Sequence, residues 1–341
     1  MPVCVFNMTA KLKLGEIMKK IVLLITMITV SFSAVFAQVE GQAVLENDSV
    51  TDKDGGKGYY NPETEFFNLS YDARRIGKYT LTGLTPPIIL IFGIKAWDWE
   101  NDHDFYSKNE GWFGQGTSFG GADKAGHFFA HYATQRFLFS VYDHLDTNPY
   151  DRWVYSIGMT MGVGFLIEIG DGFSSQYGFC FQDLVMDYAG IICGALLDYS
   201  PTLDSFIGFS VKYIPTKAFR ENEKKGPKRL LTFVNDYSGF VYMMNFKLAG
   251  FKYSGFNIPE FFKYIQFDLG FMSRDYTAYD VKAHTDDDKR RGIYVGVSIN
   301  FAEVVKDFYE DDNSVLCRLS QIPFKYYTIP AGPYHSFELK K

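Results

Sequence analysis

From about Asp72 to Tyr199 apolar residues recur at helical spacing, and beyond about residue 203 the period falls to two. Four helical segments are predicted. The first runs from about Asp72 to Trp99 and contains Pro86-Pro87, which should break or kink it because two ladder donors are missing. A loop rich in glycine and aromatics, Gly111-Trp112-Phe113-Gly114, follows. The second segment runs from about Asp123 to Leu145 and ends before Asn148-Pro149. The third spans about Arg152 to Asp171, and the fourth about Phe181 to Tyr199, stopped by Pro201. Short connections between long helices favour antiparallel neighbours in a bundle. Segments three and four each hold a G-x-x-x-G, Gly158 with Gly162 and Gly190 with Gly194. Glycine inside a helix costs about 1 kcal/mol relative to alanine, so this spacing predicts two helices in close backbone contact. Val154 to Ile167 carries no charge but is shorter than the roughly 20 residues of a bilayer span. A buried bundle helix is expected there, with partial membrane insertion left open.

The period-two runs are plain. From Ile293 to Phe301 every odd position is apolar and every even one small or polar, apart from Tyr294. Ile265, Phe267, Leu269 and Phe271 alternate likewise, as do Ile207, Phe209, Val211 and Tyr213, while Phe240, Tyr242, Met244, Phe246 and Leu248 do so in the other register. These are half-buried antiparallel strands. Four or five of them are too few for a closed single-chain membrane barrel, which needs about eight. The expected fold class is α+β: an N-terminal helical bundle of about four helices over residues 63–202, followed by a small antiparallel β region over 203–341, packed on the bundle or on a membrane.

The N-terminus reads as an export signal. Met18-Lys19-Lys20 is basic, Ile21 to Phe32 is apolar, and Val35 and Ala37 occupy the two positions a signal peptidase reads, which puts cleavage before Gln38. Residues 1–17 then belong to an upstream start, 18–37 to the signal peptide, and 38–62, polar and rich in Gly, Asp and Lys, to a flexible linker. The rival reading is an uncleaved N-terminal anchor. Of the four cysteines, Cys4, Cys180, Cys193 and Cys317, none stands where a lipid anchor needs it. Three survive cleavage, so buried thiols are expected rather than a disulfide framework, with one bridge left open.

Composition narrows the partners. A formal charge of -6 excludes the basic face of a nucleic-acid binder. An aromatic content of 18% fits both a packed core and a surface at a membrane boundary. A membrane, in particular the outer-membrane surface, is the expected partner.

Candidate chemistry gathers on three of the helices. Asp123, His127 and His131 are successive i, i+4 neighbours, with Lys124 beside them; Glu168 and Asp171 close segment three; Asp183 and Asp187 open segment four. If the helices run antiparallel, these groups meet at one end of the bundle. Two readings stand. One is a divalent-metal or acid–base site, the ligands drawn from His127, Glu168, Asp171, Asp183 and Asp187. The other is a satisfied polar network that sets helix register. No G-x-S-x-G, Walker loop, dinucleotide loop or H-E-x-x-H is present. Whether the chain is an enzyme stays open, a metal-dependent hydrolase of an envelope lipid or glycan being the alternative to an unassigned envelope protein.

Asp123-Lys124-Ala125-Gly126-His127-Phe128, then Glu168-Ile169-Gly170-Asp171, then Asp183-Leu184-Val185-Met186-Asp187-Tyr188-Ala189-Gly190, together resemble the YfiM-type predicted periplasmic lipoproteins, a domain of unknown function, over about residues 75–200. A more distant similarity is to VanZ-like envelope proteins. The resemblance implies the periplasmic side of a Gram-negative envelope and no activity. His131 lies outside the shared pattern, and the lipoprotein cysteine is missing.

Overall fold

The computed structural model describes residues 69–97, 99, 104–223, 233–276, 289–309, 315–329 and 332–339. The upstream start, signal peptide and linker, with Cys4, His103, His284 and residues 286–288 of the charged turn, lie outside them. The helices are α1 (Tyr71–Ala96), α2 (Ala122–His144), α3 (Asp151–Asp171) and α4 (Phe181–Tyr199), then the short α5 (Pro201–Phe206). Beyond them come β1 (Ile207–Tyr213), α6 (Lys217–Glu223), β2 (Phe240–Lys247), α7 (Ala249–Tyr253), β3 (Ile265–Arg274), β4 (Arg290–Ile299), α8 (Phe301–Lys306), α9 (Val315–Tyr326) and β5 (Tyr334–Glu338). The fold is α+β, helices first and sheet second. It divides into two compact units, residues 1–108 with 135–180, and 109–134 with 181–341, α2 contributing to both.

In the first unit α1 corrects an expectation. Ser70 caps it by accepting the Ala73 N–H at 3.3 Å, and the helix runs unbroken through Pro86 and Pro87 to Ala96. The prolines deprive only the Thr82 and Gly83 carbonyls of ladder donors. Packing holds the helix on both sides of them. Tyr79 and Leu81 lie against Tyr142 and Tyr155, while Leu90 lies with Trp99 and Leu166. Tertiary burial outweighs a local penalty of a few kcal/mol. Trp99 is wedged between glycines: a Cβ on Gly93 or Gly170 would sit 2.0 or 2.3 Å from its ring. Its indole N–H donates to Asp171 Oδ1 at 2.8 Å. The sequence pattern did not signal Lys78, fully buried, whose ammonium donates to Asp151 Oδ2 at 2.8 Å.

A second correction concerns the glycine pairs. Cβ atoms on Gly158 and Gly162 would meet nothing within 4 Å, whereas one on Gly190 would lie 2.1 Å from the Phe128 carbonyl oxygen. Gly158 and Gly162 face outward on α3. The close approach is that of α4 to α2, at Gly190. By length and composition α3 is also apolar enough to cross a membrane.

The second unit holds one antiparallel meander, β1-β2-β3-β4-β5. Its two faces differ in exposure, and the buried one sets polar groups beside a hydrophobic cluster of Val241, Met243 and Tyr294 with Met272 against it. Register puts Phe246, Phe267, Leu269, Val295, Ile299 and Phe337 on one face, and all of these are exposed. Ser210, Lys212, Asn245, Gln266, Asp268, Gly270, Gly296 and Ser298 lie on the other, and all of these are buried. Phe267 is 48% exposed while Asp268 beside it is 2% exposed. The polar face is reachable because the sheet rolls up around it. Lys212 of β1 lies 5.6 Å from the ring centroid of Tyr294 in β4 and 4.5 Å from that of Tyr334 in β5. In a flat sheet β1 and β5 stand four strand spacings, about 19 Å, apart. Small residues at Gly208, Ser210, Gly270, Gly292 and Gly296 give the room for the roll. Asn245 and Gln266 donate to Asp268 Oδ1 inside it, at 2.7 and 3.1 Å. The outer face is clothed only in part, by Phe128 and Tyr132 of α2 on Phe209 and by Phe113 on Phe271.

Candidate functional site

The second unit assembles six of the eight predicted residues. α2 begins at Ala122, so Asp123 lies in its first turn and projects with Lys124, His127 and His131 at helical intervals. Asp183 likewise lies in the first turn of α4, and Asp187 one turn on. The Gly190 contact with Phe128 presses the two helices together one turn beyond Asp187, and so sets the carboxylates of α4 beside the imidazoles of α2.

Lys124 is the positive centre. It has no exposed side-chain surface, and its Nζ lies 2.6 Å from Asp123 Oδ2, 2.8 Å from Asp183 Oδ1 and 3.1 Å from Glu110 Oε2. Burial opposes its charge, and the Asp123 and Asp183 carboxylates outweigh burial, holding the ammonium well above its ordinary value. Asp123 is pushed up to about 6, chiefly by burial and then by Asp183 and Glu110, against the pull of Lys124. Glu110 had no sequence signal, because it sits in the loop before α2 with no periodicity to mark it.

One turn further along, Asp187 is completely buried and meets two imidazoles. His127 Nδ1 stands 2.9 Å and His131 Nδ1 2.7 Å from its Oδ1. An ionised carboxylate only accepts, so each ring donates from Nδ1. His131 Nδ1 is also 3.1 Å from the His127 carbonyl oxygen. The rings are nearly parallel, 8° apart in plane. His127 Nε2 lies 3.8 Å from Asp183 Oδ1, which links the two halves of the cluster. Burial alone would raise the Asp187 pKa, but His127 and His131 overcome it and hold the carboxyl down at about 2. Oδ2 of Asp187 is buried and has no hydrogen-bond partner among the described residues.

Glu168 and Asp171 belong to the first unit. Glu168 accepts the Cys180 N–H at 3.0 Å through Oε2, and Asp171 accepts from Trp99. Both are engaged by the chain around them. The three described cysteines are free thiols, Cys180 and Cys317 buried and Cys193 partly so.

Residues 109–199 match the family described as predicted periplasmic lipoprotein, DUF2279. No curated protein and no solved structure matches the chain. The DUF2279 segment begins at the loop that supplies Glu110 and ends with α4, so it carries the whole cluster. It leaves out α1, which the sequence resemblance had included, and all of the sheet. The family description places its members in the periplasm and assigns no activity.

Proposed function

We propose that this chain is an exported, periplasm-facing envelope protein that associates with a membrane, the outer membrane in a Gram-negative cell, and that the helical polar cluster is its working centre. The observation that carries this reading is the exposed apolar outer face of the sheet. Fully burying a side chain such as Phe or Leu stabilises by about 1.5–3 kcal/mol. The six exposed apolar residues on the sheet's outer face forgo much of that in water, while Asp268, Gln266 and Lys212 have taken the interior. A hydrocarbon neighbour removes the contradiction. The helices carry the same sign: Phe181, Val185, Ile192, Leu196 and Tyr199 form one exposed stripe along α4. The DUF2279 match and the export signal expected over residues 18–37 supply the compartment.

The five strands of the described residues are fewer than the eight or so of a membrane-spanning barrel, and an open edge is costly inside hydrocarbon. The sheet therefore lies with its apolar face against the membrane rather than threading it. Fractionation of cells producing the full-length chain, followed by density-gradient separation of inner and outer membranes, tests this. Co-migration with the outer membrane is expected. Recovery in the cytosol would reject export, and recovery as free periplasmic protein would reject the membrane role.

A further inference from the structure

Asp187 poses a problem that the family description does not answer. A carboxylate with no exposed surface needs a positive charge beside it, because an unpaired buried charge costs several kcal/mol. Lys124 is engaged by Glu110, Asp123 and Asp183. Among the described residues the groups that meet Asp187 are the two imidazoles, both on the same oxygen, and the second oxygen has no partner. Two imidazole nitrogens and a carboxylate oxygen, all lying within 4.8 Å of one another, form a donor set suited to a metal ion.

We propose that His127 Nδ1, His131 Nδ1 and the Asp187 carboxylate form a binding site for a divalent first-row transition ion of the zinc class. Imidazole donors favour such an ion over magnesium or calcium, which take oxygen ligands. A tetrahedral ion held at 2.0–2.1 Å sets its donors about 3.3 Å apart. That is roughly half an ångström wider than the 2.7 and 2.9 Å observed, within reach of small side-chain rotations. Binding requires each neutral ring to carry its one proton on Nε2 so that the Nδ1 lone pair faces the ion, and the ion brings a divalent charge against Asp187. Three protein ligands leave a fourth position free. Of the three ligands His127 has the most exposed side chain, 19% against 7% for His131 and none for Asp187, so that position opens on its side. His131, outside the family-like pattern, becomes a ligand here.

The test is metal uptake by the full-length chain, purified in detergent, stripped with chelator and titrated with cobalt(II) chloride, then with zinc chloride as competitor. Uptake of about one cobalt ion per chain is expected, with visible ligand-field absorption that zinc abolishes. His131→Ala and Asp187→Asn should each weaken binding at least tenfold, with the circular dichroism of the wild type retained by one or both. His127→Gln, on the partly exposed ring, serves as the third variant if the buried substitutions unfold the chain. A folded wild type that takes up no stoichiometric cobalt or zinc would overturn the proposal and leave a hydrogen-bonded His-Asp-His network. Uptake unchanged in a folded variant would overturn it as well.

Discussion

Lys124 and Asp187 show how much rests on single buried charges. Lys124 answers three carboxylates, so Lys124→Met leaves Glu110, Asp123 and Asp183 facing one another without a cation. Breaking such a group from one side costs about 3–5 kcal/mol. Denaturant unfolding in detergent should show a loss of that size or outright failure to fold, and an unchanged midpoint would mean that water already solvates the cluster. Asp187 gives a pH signature. Its folded pKa of about 2 lies below the ordinary 3.8, so it favours the fold above pH ~4, and that contribution drains away as the pH falls toward ~2. The size is on the order of 2 kcal/mol. Asp123 has the opposite sign. Its pKa is raised from 3.8 to about 6, so it favours the fold below pH ~4 and loses that contribution as the pH rises through ~6. Asp187→Asn should therefore flatten the acid limb of a stability–pH curve while leaving the change between pH ~4 and ~6 in place. A variant with an unaltered acid limb would show that Asp187 is not the group that titrates there.

Among the elements, helix pairing turns on a glycine. Gly190 lets the α4 backbone reach the Phe128 carbonyl, and any Cβ there forces the helices apart. Gly190→Ala should destabilise, and it should also disturb the cluster one turn away, since Asp187 and the histidines keep their distances only while α4 stays close. Gly162→Ala is the contrasting change. A Cβ there meets nothing within 4 Å, so the variant should gain up to about 1 kcal/mol in helix propensity. Thermal melts of the two side by side decide the matter, and similar shifts for both would refute the assignment of the contact. The two glycine motifs look alike in the sequence because spacing records which residues share a helix face, not what stands opposite. α1 makes the same point in reverse. Pro86-Pro87 is a strong local stop signal, yet Tyr79 and Leu81 on one side pack half-buried against one core and Leu90 on the other is buried in a second, and local pattern reports neither.

For the whole molecule the decisive feature is which side of each amphipathic element faces out. Replacing Phe267, Leu269 and Val295 together by serine should leave the rolled sheet intact, because their side chains are 48%, 45% and 44% exposed. The same replacement should weaken attachment to membranes. Flotation of the triple variant with lipid vesicles, compared with wild type, measures this; equal flotation would place the membrane contact elsewhere, on the helices.

Period and punctuation in the sequence were enough to place α2, α3 and α4 within a residue of their ends and α1 within three, and to place β1 to β4. Hydrogen bonding within a helix and alternation along a strand are local, so their imprint is local too. The i, i+4 run from Asp123 to His131 and the Asp183–Asp187 pair were legible for the same reason. What local pattern leaves open is sign and partner. Alternation says that a strand has two faces but not which one is inside, and here the rolled sheet takes inward the face that sets Asn245, Gln266 and Asp268 beside Val241, Met243 and Tyr294. Glu110 joins Lys124, and Gly190 rather than Gly158 or Gly162 carries the close helix contact, through chain segments far apart in sequence. Those choices depend on distances between elements, which only the folded chain sets.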